Sequence, residues 1–472
     1  MRDKKNIVSL IFIILGIWAF LVRKGTSQAS RDELILASLI YFFCCLPLML
    51  YFRNKETNIP YVPFFGVVFF CYFGITVFID YTLFQAAFLS RPLIVKVLAI
   101  SLSGWISFLI AFYTIGGKWV ELLAPHLKVD IDIFRNQRFA LGVYLLVVIF
   151  RYLVVQFRYF FVSLGGIRHF IEQLPLLAIG IFYFIQLRGK LNLKGKILLW
   201  LFLIPNRFLY IISGGGIGPL IYETSVLFYI YLYCRRRIPW LTIILLGSFY
   251  LLIWGSRDDY RNLTWYGPYR NLNSYQKAFL YLKLVREHTF KEKHYTMTAY
   301  KKLSYRTSHL VTFLKTVELT PRYIPYWGGY TYRTLAYSLI PRFIFPDKPQ
   351  KQVGSEFGHR YHLLNPEDES TSYNLPFIVE MYINFGPTGV VLGMFIFGLL
   401  LRILYTLVNH PDCGDGGLLI GTLLFCNLLN IESDFSLIFG NVFQYALLFY
   451  FILRKMGSLK TIKKEGTEAQ RQ

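Results

Sequence analysis

Apolar residues run through this chain in long blocks rather than in alternation. The blocks lie near 7–22, 34–52, 60–80, 95–115, 139–157, 173–187, 197–212, 217–233, 238–255, 376–402, 417–431 and 435–453. A helix needs about 20 mostly apolar residues to cross a hydrocarbon layer of about 30 Å. The pattern therefore predicts an all-α polytopic integral membrane protein with about twelve transmembrane helices. Residues 1–255 hold helices one to nine, 256–373 form one large polar loop, 374–456 hold helices ten to twelve, and 457–472 form a charged, loose tail.

The loop is not featureless. Tyr275, Phe279, Leu282 and Val285 recur at one-face helical spacing, as do Leu303, Leu310, Leu314 and Val317. Both stretches read as amphipathic helices fit to lie on a membrane surface or to cap the bundle. Pro321, Pro325, Gly328 and Gly329 end the second one. The loop is thus expected to be partly helical.

Lys and Arg decide orientation. They crowd the N-terminus, Arg53–Lys55, 118–138, 188–196, Arg235–Arg237 and the C-terminal tail, and they thin out in the alternate connections. Cytoplasmic loops retain positive charge, so both termini are expected in the cytoplasm and the 256–373 loop outside it. The first block follows Arg2-Asp3-Lys4-Lys5, but no small-residue cleavage site comes after it, so it reads as a retained helix rather than a signal peptide.

Composition agrees with this class: 55% hydrophobic, 16% charged and 18% aromatic residues and a mean hydropathy of +0.44. The net charge of +23 is spread over many short loops. It points to membrane orientation and an anionic substrate rather than to nucleic acid. The six cysteines show no metal-binding spacing, and none lies between 256 and 373.

Charges inside apolar segments are costly and usually face a cavity or a partner. Arg151, Arg207 and Glu223 are such residues, and Glu380 enters the tenth helix near its outer end. Span arithmetic brings all four toward the outer leaflet, with Arg207 and Glu223 as a structural ion pair or as part of an anion-holding cavity. Ser213-Gly214-Gly215-Gly216, between those two, reads either as a plain turn or as a cradle whose amides approach a phosphate.

The loop contributes eighteen Lys and Arg and five of the eight histidines. Arg257, Arg306, Arg333, Arg342 and Lys348 are candidate pyrophosphate ligands, since arginine forks match oxyanions. Prolines bracket the Arg342–Lys348 segment and fix where its cations point. Asp258-Asp259 reads as a metal pair or, with Arg257 and Arg261 beside it, as a local salt network. His309, His359 and Glu380 are candidate bases for a sugar hydroxyl. Tyr330, Tyr332 and Tyr382 are candidate sugar-stacking residues. No metal or other cofactor is expected.

From residue 305 onward the chain resembles the bacterial O-antigen and oligosaccharide repeat-unit polymerases of the Wzy type. The residues concerned are Tyr305-Arg306-Thr307-Ser308-His309-Leu310, Gly329-Tyr330-Thr331-Tyr332, Ile340 to Pro349, and Glu380-Met381-Tyr382-Ile383-Asn384-Phe385-Gly386. One departure is Ser213 to Gly216, where relatives often have serine–arginine–glycine; an arginine role expected there passes to Arg207 or is lost. The resemblance implies glycosyl transfer between polyprenyl-pyrophosphate-linked oligosaccharides on the outer face of the bacterial cytoplasmic membrane, without a bound metal. It implies as partners those lipid-linked sugars, the bilayer and a chain-length regulator protein. An O-antigen ligase-like transferase, or a flippase without chemistry, shares the topology and is the alternative expectation.

Overall fold

The computed structural model describes residues 2–53, 59–87, 89–123, 126–129, 137–156, 165–216, 218–291, 295–338, 340, 345, 353–368, 371–409, 413–455 and 459–462. The described chain is almost wholly helical. The exception is a short antiparallel ribbon, His126–Val129 with Leu459–Ile462, so this part of the expected loose tail is paired. The residues fall into two compact units. The first comprises Met1–Ile131, Val162–Ile167 and Ser308–Gln472; the second comprises Asp132–Phe161 and Arg168–Thr307.

Every apolar block overlaps a helix, yet the helices differ in reach. Among the described residues four are long and apolar enough to cross a membrane: Arg31–Arg53, Arg91–Thr114, Leu193–Ser213 and Phe377–Asn409. Trp240–Gly255 with Arg257–Tyr266 makes a fifth if a pair bent by 52° counts as one span. Tyr61–Phe73 shows why others fall short. It has 13 residues, a rise of about 20 Å, and beyond Gly74 the chain starts a separate short helix at Thr76.

In the first unit, Phe377–Asn409 packs along Arg91–Ile110. Small residues let the backbones approach. A methyl group on Gly104 would stand 2.7 Å from Val390 Cγ1, and one on Gly398 would stand 2.7 Å from the Phe108 carbonyl. Phe65, Trp105, Phe108 and Phe397 fill the seam. Polar contacts lock the segments as well. Ser30 and Glu33 form a capping box, the Ser30 N–H donating to Glu33 Oε2 at 2.6 Å. Tyr81 donates to the same carboxylate at 3.0 Å, which accounts for a fully buried Glu33.

Phe377–Asn409 is two helices meeting at a break. Gly386 has φ 67° and ψ −156°, a backbone open only to glycine, and Pro387 then begins the longer half. The single tenth span expected from sequence is therefore interrupted near its N-terminal end.

In the second unit, Leu193–Ser213 and Gly218–Arg235 form a helical hairpin. Ile211, Ile212, Leu220, Ile253, Tyr260 and Tyr281 build its core with Ala278. Helix Ser274–Lys291 buries Ala278 and Tyr281, while Tyr275 and Phe279 of the expected apolar stripe are exposed. The second expected loop helix, running through Leu303 and Leu314, is broken at Ser308. Tyr295–Thr307 closes the second unit and His309–Leu319 opens a segment of the first.

Candidate functional site

Two of the motifs behind the resemblance, Gly329–Tyr332 and Glu380–Gly386, meet in the first unit. The Asn384 side chain clamps the 327–331 turn: its Oδ1 accepts from the Gly329 N–H at 2.9 Å, and its Nδ2 donates to Thr331 Oγ1 at 2.8 Å. The Trp327 N–H donates to the Ile383 carbonyl and the Gly328 N–H to that of Asn384, at 2.8 and 3.2 Å. Carbonyls at the end of the broken helix thus find donors in the turn. Tyr332 stacks on Phe385 with ring centroids 6.3 Å apart. Its phenol is pushed up by burial and by the nearby Glu380 charge.

Glu380 is fully buried, and its Oε2 accepts from the Phe435 N–H at 2.7 Å. A carboxylate at that place satisfies the first turn of helix Phe435–Lys455 and its positive dipole end. The geometry describes an anchor between helices rather than a base open to a sugar. Tyr382 is also buried, donating to the Thr320 carbonyl at 3.2 Å. His309 is buried, its Nε2 3.3 Å from Glu432 Oε2 and its ring edge-on to Tyr72. His359 Nε2 donates to the Asp368 carbonyl at 3.1 Å, tying its own loop. Tyr330 is exposed, with the exposed Arg333 5.7 Å from its ring. Arg360, which sequence reasoning passed over, lies over Trp327 at 4.5 Å. Arg342 and Lys348 lie outside the described residues.

The other candidate cations lie in the second unit. Helix Trp240–Gly255 ends at Ser256, and the chain bends into Arg257–Arg261. Arg257 stacks on Trp254 at 4.3 Å and Arg261 on Trp265 at 4.5 Å. Arg261 stands within electrostatic reach of both Arg257 and Arg306. Lys302 Nζ is 3.6 Å from Asp258 Oδ2 and donates to the Gly255 carbonyl at 3.4 Å. Asp258 also takes Arg257 at 3.1 Å, so it acts inside a salt network, and the described residues hold no cluster of three metal-ligating groups. Arg257, Arg261 and Lys302, each held by a stacking or polar contact, thus gather with Arg306 at the polar end of an apolar helix. Exposed aromatics border it in sequence, among them Trp265, Tyr266 and Tyr305. Arg151 falls within helix Gln137–Gln156 of the same unit.

The Ser213–Gly216 segment is a turn braced from the cationic side. The N–H groups of Gly214 and Gly215 donate to Ile211 and Ile212 carbonyls at 3.1 and 3.0 Å, so these two amides close the helix end and are not offered to a phosphate. Gly215 has φ 66°. Tyr260 donates to the Ser213 carbonyl, and Arg261 Nε to that of Gly215 at 3.1 Å. Below the turn, Arg207 Nε donates to Glu223 Oε1 at 2.6 Å, both side chains buried.

The profile of one protein family, described as a domain of unknown function (DUF8712), matches residues 122–464. The chain belongs to that family. The DUF8712 match takes in the cationic turn, the Arg207–Glu223 hairpin and the Asn384 clamp alike. No curated protein matches the chain, and no solved structure does.

Proposed function

We propose that this DUF8712 protein is a glycosyltransferase of the repeat-unit polymerase type, joining polyprenyl-pyrophosphate-linked oligosaccharides. It works on the outer face of the bacterial cytoplasmic membrane, with about twelve crossings, both termini in the cytoplasm and residues 256–373 outside. A growing glycan leaves its lipid diphosphate and passes to the incoming repeat unit.

The observation that carries this reading is the gathering of Arg257, Arg261 and Arg306 with Lys302 where the apolar Trp240–Gly255 helix ends. A lipid diphosphate has its tail in hydrocarbon and its charge at the interface, and this arrangement offers both environments at one place. Fixed donors aimed at a leaving diphosphate stabilise the charge that develops as the sugar departs. Two arginines are held by indole stacking, so little reorganisation accompanies binding. The clamp that joins Gly329–Thr331 to Asn384 gives physical sense to two of the motifs on which the family resemblance rests.

The test is a reconstitution with purified protein in nanodiscs and a defined lipid-linked repeat unit, its products separated on a gel. A ladder of lengthened glycans is the expected result. Transfer only to a different acceptor, or movement of the lipid-linked sugar without lengthening, overturns the polymerase reading.

A further inference from the structure

The cationic turn carries a second arrangement that the phosphate chemistry does not use. Tyr295 donates its hydroxyl proton to the Leu252 carbonyl. Its oxygen lies 2.6 Å from Ser256 Oγ, and Ser256 Oγ lies 3.0 Å from His288 Nδ1. On the far side of the imidazole, Nε2 is 3.9 Å from Asp259 Oδ2. Resting on the glycosyl-transfer reading above, we propose that His288 is the general base of the reaction, oriented by Ser256 and Tyr295 and faced by Asp259.

Proton counting fixes the tautomer. A hydroxyl has one proton, and that of Tyr295 goes to a carbonyl that has none to give. The proton between Tyr295 and Ser256 is therefore the serine's. With its only proton committed, Ser256 can only accept from His288, so Nδ1 carries hydrogen and Nε2 is the basic nitrogen of the neutral ring. A carboxylate on the Nε2 side stabilises the imidazolium that forms when a proton arrives.

Ser256 is wholly buried, so it positions the ring and is not a nucleophile. The imidazole is 21% exposed and Asp259 53%, so the working end of the pair faces outward. Gly255 makes the relay possible, because a methyl group there would stand 2.7 Å from the Tyr295 hydroxyl. Ser256 and Asp259 sit in the same short segment as Arg257 and Arg261, so base and cations share one support. His309, His359 and Glu380 all belong to the first unit.

In the step itself, an acceptor sugar hydroxyl attacks the anomeric carbon of the donor. The hydroxyl O–H bond breaks and its proton passes to His288 Nε2. The new C–O bond forms as the bond from the anomeric carbon to the diphosphate oxygen breaks, and that electron pair leaves with the lipid diphosphate toward the arginines. The imidazolium returns its proton to water before the next turnover.

His288→Asn keeps an N–H donor near the Nδ1 position and removes Nε2. In the full-length protein with a defined lipid-linked repeat unit, kcat for lengthening falls about a hundredfold or more, within the range of a lost general base. Retention of polyprenyl pyrophosphate stays within about twofold of wild type, since uniform binding is untouched. Asp259→Asn, at an exposed position, lowers kcat about tenfold with KM unchanged. His288→Gly recovers activity when imidazole is added, which a packing role does not predict. Lengthening by His288→Asn within about threefold of wild type, full activity in Asp259→Asn, or absence of imidazole rescue each overturns the assignment. A wild-type protein that makes no ladder removes the polymerase reading beneath it, whereas a wild-type ladder with an active His288→Asn removes only the base.

Discussion

Tyr260 holds more of the candidate site together than any charged residue near it. It donates to the Ser213 carbonyl, stacks on Tyr281 at 4.2 Å, and occupies the space a side chain on Gly215 would need. A methyl group on Gly215 would meet Tyr260 Cε1 at 2.8 Å, at a φ of 66°. Gly215→Ala is expected to destabilise the protein by about 1–3 kcal/mol through backbone strain, measured as a lower midpoint of thermal unfolding in detergent. Arg306→Ala removes a cation whose side chain is half-buried. Loss of lengthening on the order of a hundredfold, with the protein still folded, is expected if it stabilises the leaving diphosphate. Unchanged kcat in that variant takes Arg306 out of the site. Sequence reading singled out Arg257 and Arg306 by their chemistry, and the salt network it offered for the Asp258–Asp259 pair is present at Asp258. It did not single out His288 from the other loop histidines, because His288 lies about thirty positions from Ser256 and Asp259 and no spacing rule joins them.

At the scale of elements, the hairpin of Leu193–Ser213 and Gly218–Arg235 rests on one buried ion pair. Two opposite charges in adjacent apolar segments are legible in the sequence, since each needs the other where water is scarce. Removing one partner strands the other, so Arg207→Ala or Glu223→Ala alone is expected to lose about 3–5 kcal/mol. The double variant loses less than the sum, and simple additivity in that cycle would sink the coupling. The break at Gly386 was not legible. Gly-Pro after Asn-Phe marks a boundary, but only the fold shows that Asn384 spends its side chain on Gly329 and Thr331. Asn384→Ala is expected to free the 327–331 turn, seen as faster proteolysis there, while Phe377–Asn409 stays helical. The first loop helix forms where its apolar period put it, but the stripe is split: Leu282 and Val285 pack on the core beside Ala278 and Tyr281, whereas Tyr275 and Phe279 stay exposed.

For the whole molecule, membrane character follows from the apolar blocks, and among the described residues four or five helices, rather than the twelve expected, have the reach to span a bilayer. Orientation is a separate matter: cysteine labels placed in residues 256–373 are expected to react with a membrane-impermeant reagent in intact cells, and protection there would reverse the orientation. What the sequence determined by itself was the helical class and the apolar segments, since these depend on composition and on contacts a few positions apart. What only the tertiary structure decided was the division into two units, one boundary of which falls at Thr307–Ser308, the break at Gly386, and the meeting of Ser256, Asp259, His288 and the arginines around one turn. Those outcomes depend on packing between segments far apart in the chain, where shape and burial choose among pairings that local sequence leaves equal.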